Sequence, residues 1–385
     1  MNPMPAPAMP PSAATRGFRR PRRGGSALAA LVAALALVLA GCNSTAPTPG
    51  PTAPPTPART PTPQPSPQLV KTITFVAQIS EPAAASPSGL AWAGVQTAGK
   101  EIGAQTSLVQ PVSAADAPAA LAGAAGTEKA VVVTMGSGSH AAVVAAAAAN
   151  PAAQFIELDV TPGSTSPANV HDLVFDQAEA GYLAGFVAGA FSASGKVAFA
   201  ADAATDAAST NYAAGFKAGA TLARADATAS VGYAGAADAP DKGRTAAAAL
   251  VKTGADVLVA PTGLSGIGAM REACARGARL VAVDSDAWQT VADVRPCLIG
   301  SVVFRYDVAA ANAIRSLAGG GTLPAVTVED VSNGGLGLSE FHAEAPAGFD
   351  ARLAGVLAAL RNSPPRATAA PASAVPSNAA ASPSK

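Results

Sequence analysis

Between residues 69 and 363, short β-branched apolar runs alternate with Ala-rich segments whose apolar positions recur at helical spacing. The run 72–76 predicts a strand, and a helix is expected from about 89 to 102. Residues 107–109 and the strongly apolar 130–135 predict two more strands. Further strands are expected at 155–158, 197–199, 257–259, 280–283 and 298–303. Asp176 followed by Glu179 reads as a capping box opening a helix through Tyr182, Leu183, Phe186 and Val187. Strands alternating with helices of this length imply right-handed crossovers and parallel sheets covered on both faces, so the expected fold class is α/β with two doubly wound sheets. Ligands of such folds sit beyond the carboxyl ends of the strands. Polar or Gly-rich segments fall there at 80–88, 136–140, 261–268 and 284–286.

The flanks read differently. Residues 27–40 form an apolar run of 14 behind a basic, Pro-rich start, and Leu39-Ala40-Gly41-Cys42 closes it. The run is short for a membrane span and has the parts of an export signal. Small residues immediately before Cys42 match a bacterial lipoprotein box, whose expected outcome is removal of 1–41 and lipidation of Cys42. Residues 42–68 then form a Pro/Thr-rich stalk, 69–362 the folded body, and 363–385 a tail expected to be disordered. Of the 33 prolines, 16 lie in 1–68 and 5 beyond 363, which isolates the body between them. Within the body the expected lobe boundaries fall near 175 and in 280–303, with the chain crossing more than once.

Charge sharpens this division. Lys+Arg and Asp+Glu both number 25, yet Arg16, Arg19, Arg20, Arg22 and Arg23 precede Cys42, where no acid occurs. The remainder holds 20 cations against 25 acids, so no basic footprint for nucleic acid is expected. With Cys42 assigned to lipid, Cys274 and Cys297 form a pair that an oxidising compartment would bridge, or two small buried hydrophobes.

Enzyme chemistry finds little support. Gly136-x-Gly138-x-x-Ala141 with Glu157 further on has the form of a dinucleotide fingerprint, but it follows the third strand of its domain rather than the first. A G-x-S-x-G elbow breaks at Ile267, and His140, His171 and His342 are scattered, with only His171 beside an acid, Asp172. No cluster of ligating residues appears along the chain, so neither a metal nor a cofactor is expected.

The order of motifs resembles the basic membrane protein (BMP) family of substrate-binding lipoproteins, of the purine nucleoside receptor type. The matching segments are Asn150-Pro151 through Asp159, Gln177-Ala178-Glu179-Ala180-Gly181-Tyr182-Leu183-Ala184-Gly185, and Gly195-Lys196-Val197-Ala198-Phe199. Gly215-Phe216-Lys217-Ala218-Gly219, Gly254-Ala255-Asp256-Val257 and Val283-Asp284-Ser285-Asp286 follow. Gly300-Ser301-Val302-Val303 and Asn333 to Leu338 complete the set. The resemblance implies a type I periplasmic-binding-protein fold: two Rossmann-like lobes with a hinge cleft that clamps a small ligand, usually a nucleoside, and delivers it to the permease of an ABC importer. It implies no catalysis. A ligand sensor or surface lipoprotein of the same fold is the alternative. Where the family carries D-x-S-F-N in its first loop, this chain has Ala84, Ser86, Pro87 and Ser88. Phe304, followed by Arg305, stands at the family's lysine. The resemblance thus implies a binding protein without specifying a purine.

The candidate ligand contacts follow from these two lines of argument. Asp284 ends a strand, where its acceptor oxygens suit sugar hydroxyls, though it or Asp286 also suits a helix cap. Gly263 and Ser265 offer N–H groups at a helix start, or form a plain turn. Ser88, Ser137 and Asp159 are placed near the ligand by their loops. Trp288 either stacks on a flat ligand or fills the core. Arg305 is a partner for an anionic or hydroxylated ligand.

Overall fold

The computed structural model describes residues 70–77, 85–161 and 166–362. The expected export signal, Cys42, and the expected stalk and tail all lie outside the described residues.

Two six-stranded sheets are built in one pattern. The chain opens with β1 (Thr72–Val76), α1 (Pro87–Ile102), β2 (Gln105–Val109), α2 (Ala117–Ala125), β3 (Ala130–Met135), α3 (His140–Ala149), β4 (Gln154–Leu158) and β5 (Val170–Phe175). It continues through α4 (Gln177–Phe191), β6 (Lys196–Ala201), α5 (Ala207–Ala223), β7 (Thr228–Tyr233), α6 (Pro240–Lys252), β8 (Val257–Pro261), α7 (Leu264–Ala275) and β9 (Arg279–Asp284). A one-turn α8 (Ala287–Thr290), β10 (Leu298–Phe304), α9 (Tyr306–Ala318), β11 (Val326–Glu329), β12 (Leu336–Leu338) and α10 (Phe349–Arg361) complete it. The first sheet runs β2-β1-β3-β4-β5-β11, all parallel, and the second β7-β6-β8-β9-β10-β12, parallel except for β12. Each therefore reverses its direction of growth once, between β1 and β3 and between β6 and β8. Such switch points open a crevice at the strands' carboxyl ends.

The central strands are buried on both faces, as their apolar runs require: every residue of β3, β8 and β10 is buried. β5 escapes the periodicity argument because His171 and Asp172 interrupt it, yet both are buried. The His171 ring nitrogens lie 3.1 Å from the Pro324 carbonyl oxygen and 2.9 Å from Gln154 Oε1, so its polarity is satisfied inside the sheet. Edge strand β7 and the short β11 and β12 also lack a strong apolar signal.

Helices α4 and α5 lie against each other at backbone contact. A side chain at Gly181 or Gly185 would collide with the carbonyls of Tyr212 or Phe216, and one at Gly215 or Gly219 with those of Ala178 or Tyr182. The glycines of two sequence motifs are thus explained by close helix approach rather than by a ligand. At the start of α4, Asp176 accepts from the Glu179 N–H (2.9 Å). The Glu179 carboxylate accepts from the Val331 N–H (2.8 Å), and the Asp176 N–H donates to the Glu329 carbonyl. Glu179 is thus a tie between chain segments rather than the second half of a capping box.

The chain first passes from one sheet to the other at Phe175–Gln177, between β5 and α4. The second crossing is corrected from 280–303 to Phe304–Tyr306, because β9 and β10 both belong to the second sheet. A third crossing joins β11 to β12. These crossings hold one another. Phe175 packs on Phe304 (ring centroids 5.0 Å) and Tyr306 (4.7 Å), and the Arg305 N–H donates to the Gly335 carbonyl. In the second lobe Cys274 and Cys297 are joined as a disulfide with Cα atoms 5.6 Å apart. Closing a loop of that length contributes about 3 kcal/mol in the chain-entropy account.

Candidate functional site

A cavity of about 530 Å³ opens between the lobes, at the carboxyl ends of strands from both sheets. The first lobe contributes Asp159 beyond β4, together with Ser86 and Pro87 at the start of α1. The second contributes Asp202 beyond β6, Pro261 to Gly263 at β8, and Asp284 with Ser285 at β9. Asp206 and Tyr212 enter from α5, and the crossing residues Phe304 and Tyr306 form part of the wall.

Two of these residues hold unusual backbone. Asp159 (φ +56°) and Asp284 (φ +78°) are left-handed, and Lys129 is the one other non-glycine of that kind among the described residues. Such conformations persist where surrounding structure enforces them and concentrate at ligand sites. In both cases the turn follows directly on a buried strand. The Asp159 N–H donates to the Leu173 carbonyl (2.9 Å), and its carboxylate accepts from the Tyr306 hydroxyl (3.1 Å).

The electrostatics are one-sided. Burial pushes Asp284 up to about 7, with Asp159 and Asp202 adding repulsion, against a lowering hydrogen bond from the Thr262 backbone. Burial likewise raises Asp202 to about 6, with Asp206 adding repulsion, and raises Asp159. Tyr306 and Tyr212 are driven well above the usual phenol range by burial, and by the charges of Asp159 and Asp284 and of Asp284 respectively. One Asp202 oxygen and the Tyr212 hydroxyl are buried without a hydrogen-bond partner among the described residues. Thr262 and Ser285 pair with each other, Ser285 Oγ donating at 2.9 Å.

Of the residues expected to touch ligand, the structure brings Asp159, Gly263 and Asp284 to this cavity and gives the others structural work. Ser88 contacts Met135 Sδ at 3.8 Å, while its neighbours Ser86 and Pro87 reach the cavity. Ser137 is exposed and bonds to Thr161, and no residue of 136–140 is among those lining the cavity. Ser265 is buried, its Oγ donating to the Ala236 carbonyl (2.6 Å) and accepting from the Ala239 N–H (2.9 Å). Asp286 caps α8 by accepting from the Trp288 N–H (3.1 Å). Trp288 stacks on His342 with centroids 3.7 Å apart and lies under the Arg295 guanidinium. Arg305 forms a two-bond ion pair with Asp307 (2.9 and 2.8 Å). Tyr233, at the end of β7, lines a separate surface hollow beside Lys242.

Sequence reasoning missed Asp202, Asp206, Tyr212 and Tyr306. Asp202 was within reach: it follows a strand as Asp159 and Asp284 do, but the strand expected at 197–199 runs on to Ala201. The tyrosines are placed only by helix packing. The structure also gathers a cluster that sequence distance concealed. His140 Nδ1 lies 2.7 Å from Glu157 Oε2, and one ligating atom of each of His140, Glu157 and Asp172 falls within 4.8 Å of the others. All three lie outside the cavity lining, and burial raises both carboxylates.

Two open, predominantly parallel sheets of matching order, with a cavity at their carboxyl ends and three crossings between them, define the type I periplasmic-binding-protein class. Residues 85–344 match the family described as ABC transporter substrate-binding protein, PnrA-like (Bmp), and the chain belongs to that family. Its members are substrate-binding proteins of ABC transporters rather than a class of enzymes.

Similar solved structures include an ABC solute-binding protein from Conexibacter woesei DSM 14684, with 22% identity, 75% of this chain and 96% of that chain covered, and a TM-score of 0.62. Another, from Aeropyrum pernix K1, has 23% identity, coverage of 70% and 76%, and a TM-score of 0.57. A transcriptional activator of the comK gene from Bacillus halodurans aligns at 16% identity, 76% and 98% coverage, and a TM-score of 0.65. At these identities the likeness concerns the fold. No curated protein matches the chain.

Proposed function

We propose that this protein is an extracytoplasmic, lipid-anchored receptor. It captures a small hydroxylated ligand, nucleoside-like in the first instance, between its lobes and passes it to the permease of an ABC importer. The observation that carries the ligand reading is the pair of left-handed aspartates, Asp159 and Asp284, one from each lobe, lining one cavity. Carboxylates on both lobes accept hydroxyl hydrogen bonds that neither lobe makes alone, and such shared contacts favour a closed state. The anchor reading rests on Leu39-Ala40-Gly41-Cys42. Among the described residues no helix is long and apolar enough to cross a membrane, so a lipid on Cys42 would supply attachment.

A thermal-shift screen of nucleosides, nucleobases and sugars tests the ligand reading. A ligand present at about 100 times its Kd adds about 2.7 kcal/mol. Asp284→Ala should remove the response, and a wild-type protein indifferent to all three groups would rule out the nucleoside-like ligand. Mass spectrometry of Cys42 in membrane fractions tests the anchor. A gene neighbourhood without permease and ATPase would turn the reading toward a sensor.

A further inference from the structure

We infer that the ligand carries a cationic nitrogen beside its hydroxyl groups, and that the cavity excludes anions. This rests on the reading of the cavity as a ligand site and narrows the chemistry it takes. Four carboxylates line it: Asp159 beyond β4, Asp202 beyond β6, Asp206 at the N-terminus of α5 and Asp284 at the end of β9. Among the described residues, no Lys, Arg or His lines it. The nearby guanidinium of Arg305 stands outside the lining and is held by Asp307. The remaining titratable groups facing the cavity are the tyrosines Tyr212 of α5 and Tyr306 of α9.

These acids are unevenly satisfied. Asp159 has the Tyr306 hydroxyl and Asp206 caps α5 through the N–H groups of Ala208 and Ser209. Asp202 keeps one buried oxygen without a hydrogen-bond partner among the described residues, and Tyr212, only 3% exposed, has an equally unpartnered hydroxyl at the same cavity. Buried polar atoms left open in a lined cavity await a ligand's donors. Around them stand the rings of Phe199, Tyr212, Phe304 and Tyr306, whose faces attract cations as the carboxylates do. A phosphate or carboxylate entering here would meet repulsion from the carboxylates of the lining. An ammonium or a protonated ring nitrogen would relieve the repulsion the acids exert on one another, and its hydrogen bonds to them would be charge-assisted. Because burial and mutual repulsion raise Asp284 to about 7 and Asp202 to about 6, a bound cation returns them to the ionised state and releases protons. Affinity for a cation therefore rises with pH through that range.

Calorimetric titration of the full chain with matched pairs tests this: 1-methyladenosine against adenosine, glucosamine against glucose, and choline against its neutral carbon analogue 3,3-dimethylbutanol. The cationic member of at least one pair should bind tenfold or more tighter than its neutral partner. Its affinity should rise between pH 5.5 and 7.5, and protons should be released in buffers of different ionisation enthalpy. Asp202→Asn with Asp284→Asn should erase the preference, with circular dichroism confirming the fold; the wild-type pairs decide the matter even if that variant fails to fold. Neutral members binding as tightly or tighter, or adenosine monophosphate binding as well as adenosine, would overturn the inference while leaving the binding protein standing. Binding of none of the six would overturn both.

Discussion

Ser265 and Asp284 look alike along the chain, each a polar residue in a loop-proximal segment after a strand, and their environments separate them. Ser265 is 1% exposed, and its hydroxyl joins the Ala236 carbonyl to the Ala239 N–H. Ser265→Ala should lower stability by about 1 kcal/mol, the net loss of its hydrogen bonds to two half-buried backbone groups. Its signature is an earlier urea midpoint with ligand affinity unchanged. Asp284→Ala should behave oppositely, losing binding while stability at neutral pH is kept or raised, because it removes a carboxylate that burial and its neighbours disfavour. Residue type and position after a strand were enough to nominate Asp159 and Asp284. They were not enough to tell Ser265, Asp286 or Arg305 from ligand contacts, since capping, stapling and ion pairing use the same atoms as binding.

At the scale of elements, α4 and α5 show how small residues set geometry. The glycines at 181, 185, 215 and 219 permit each helix to rest on the other's backbone, and Gly185→Val would drive a side chain into the Phe216 carbonyl. We expect that substitution to cost at least about 1–3 kcal/mol, as overpacking does. Gly355→Ala in α10, where a methyl would meet nothing within 4 Å, should instead be neutral or stabilising by up to about 1 kcal/mol. Chemical denaturation of the two variants beside the wild type makes the comparison. The strands with continuous apolar runs were legible because burial on both faces demands such runs. β5, β7, β11 and β12 were not: β5 is interrupted by two buried polar residues, His171, paired with Gln154 of the neighbouring strand, and Asp172, and the other three lie at sheet edges.

For the whole molecule the raised acids predict how stability depends on pH. Asp284 and Glu329 sit near 7 and Asp202 near 6 in the folded state, all above their ordinary values, so the folded chain binds more protons than the unfolded chain between about pH 4 and 7. Their contribution is complete below about pH 4 and is lost progressively as pH rises to about 7. His171, lowered by burial, and Asp307, lowered despite burial by its pair with Arg305, oppose this in part, and the lowered acids Glu101, Glu128, Asp226 and Asp293 are surface groups of small weight. The melting temperature of the unliganded protein should therefore fall between pH 5 and 8, and Asp284→Asn should flatten the profile; a wild-type profile rising over that range would contradict the assignment. Glu329 adds weight because it lies at the third crossing, beside Asp330 and bonded through its carbonyl to Asp176. The amino-acid sequence alone determined the alternation of strand and helix, the α/β class and the family, because these depend on local pattern. Only the tertiary structure decided which acids converge. Asp159, Asp202 and Asp284 are separated by tens of residues and meet because two sheets of the same order direct their carboxyl ends at one cavity.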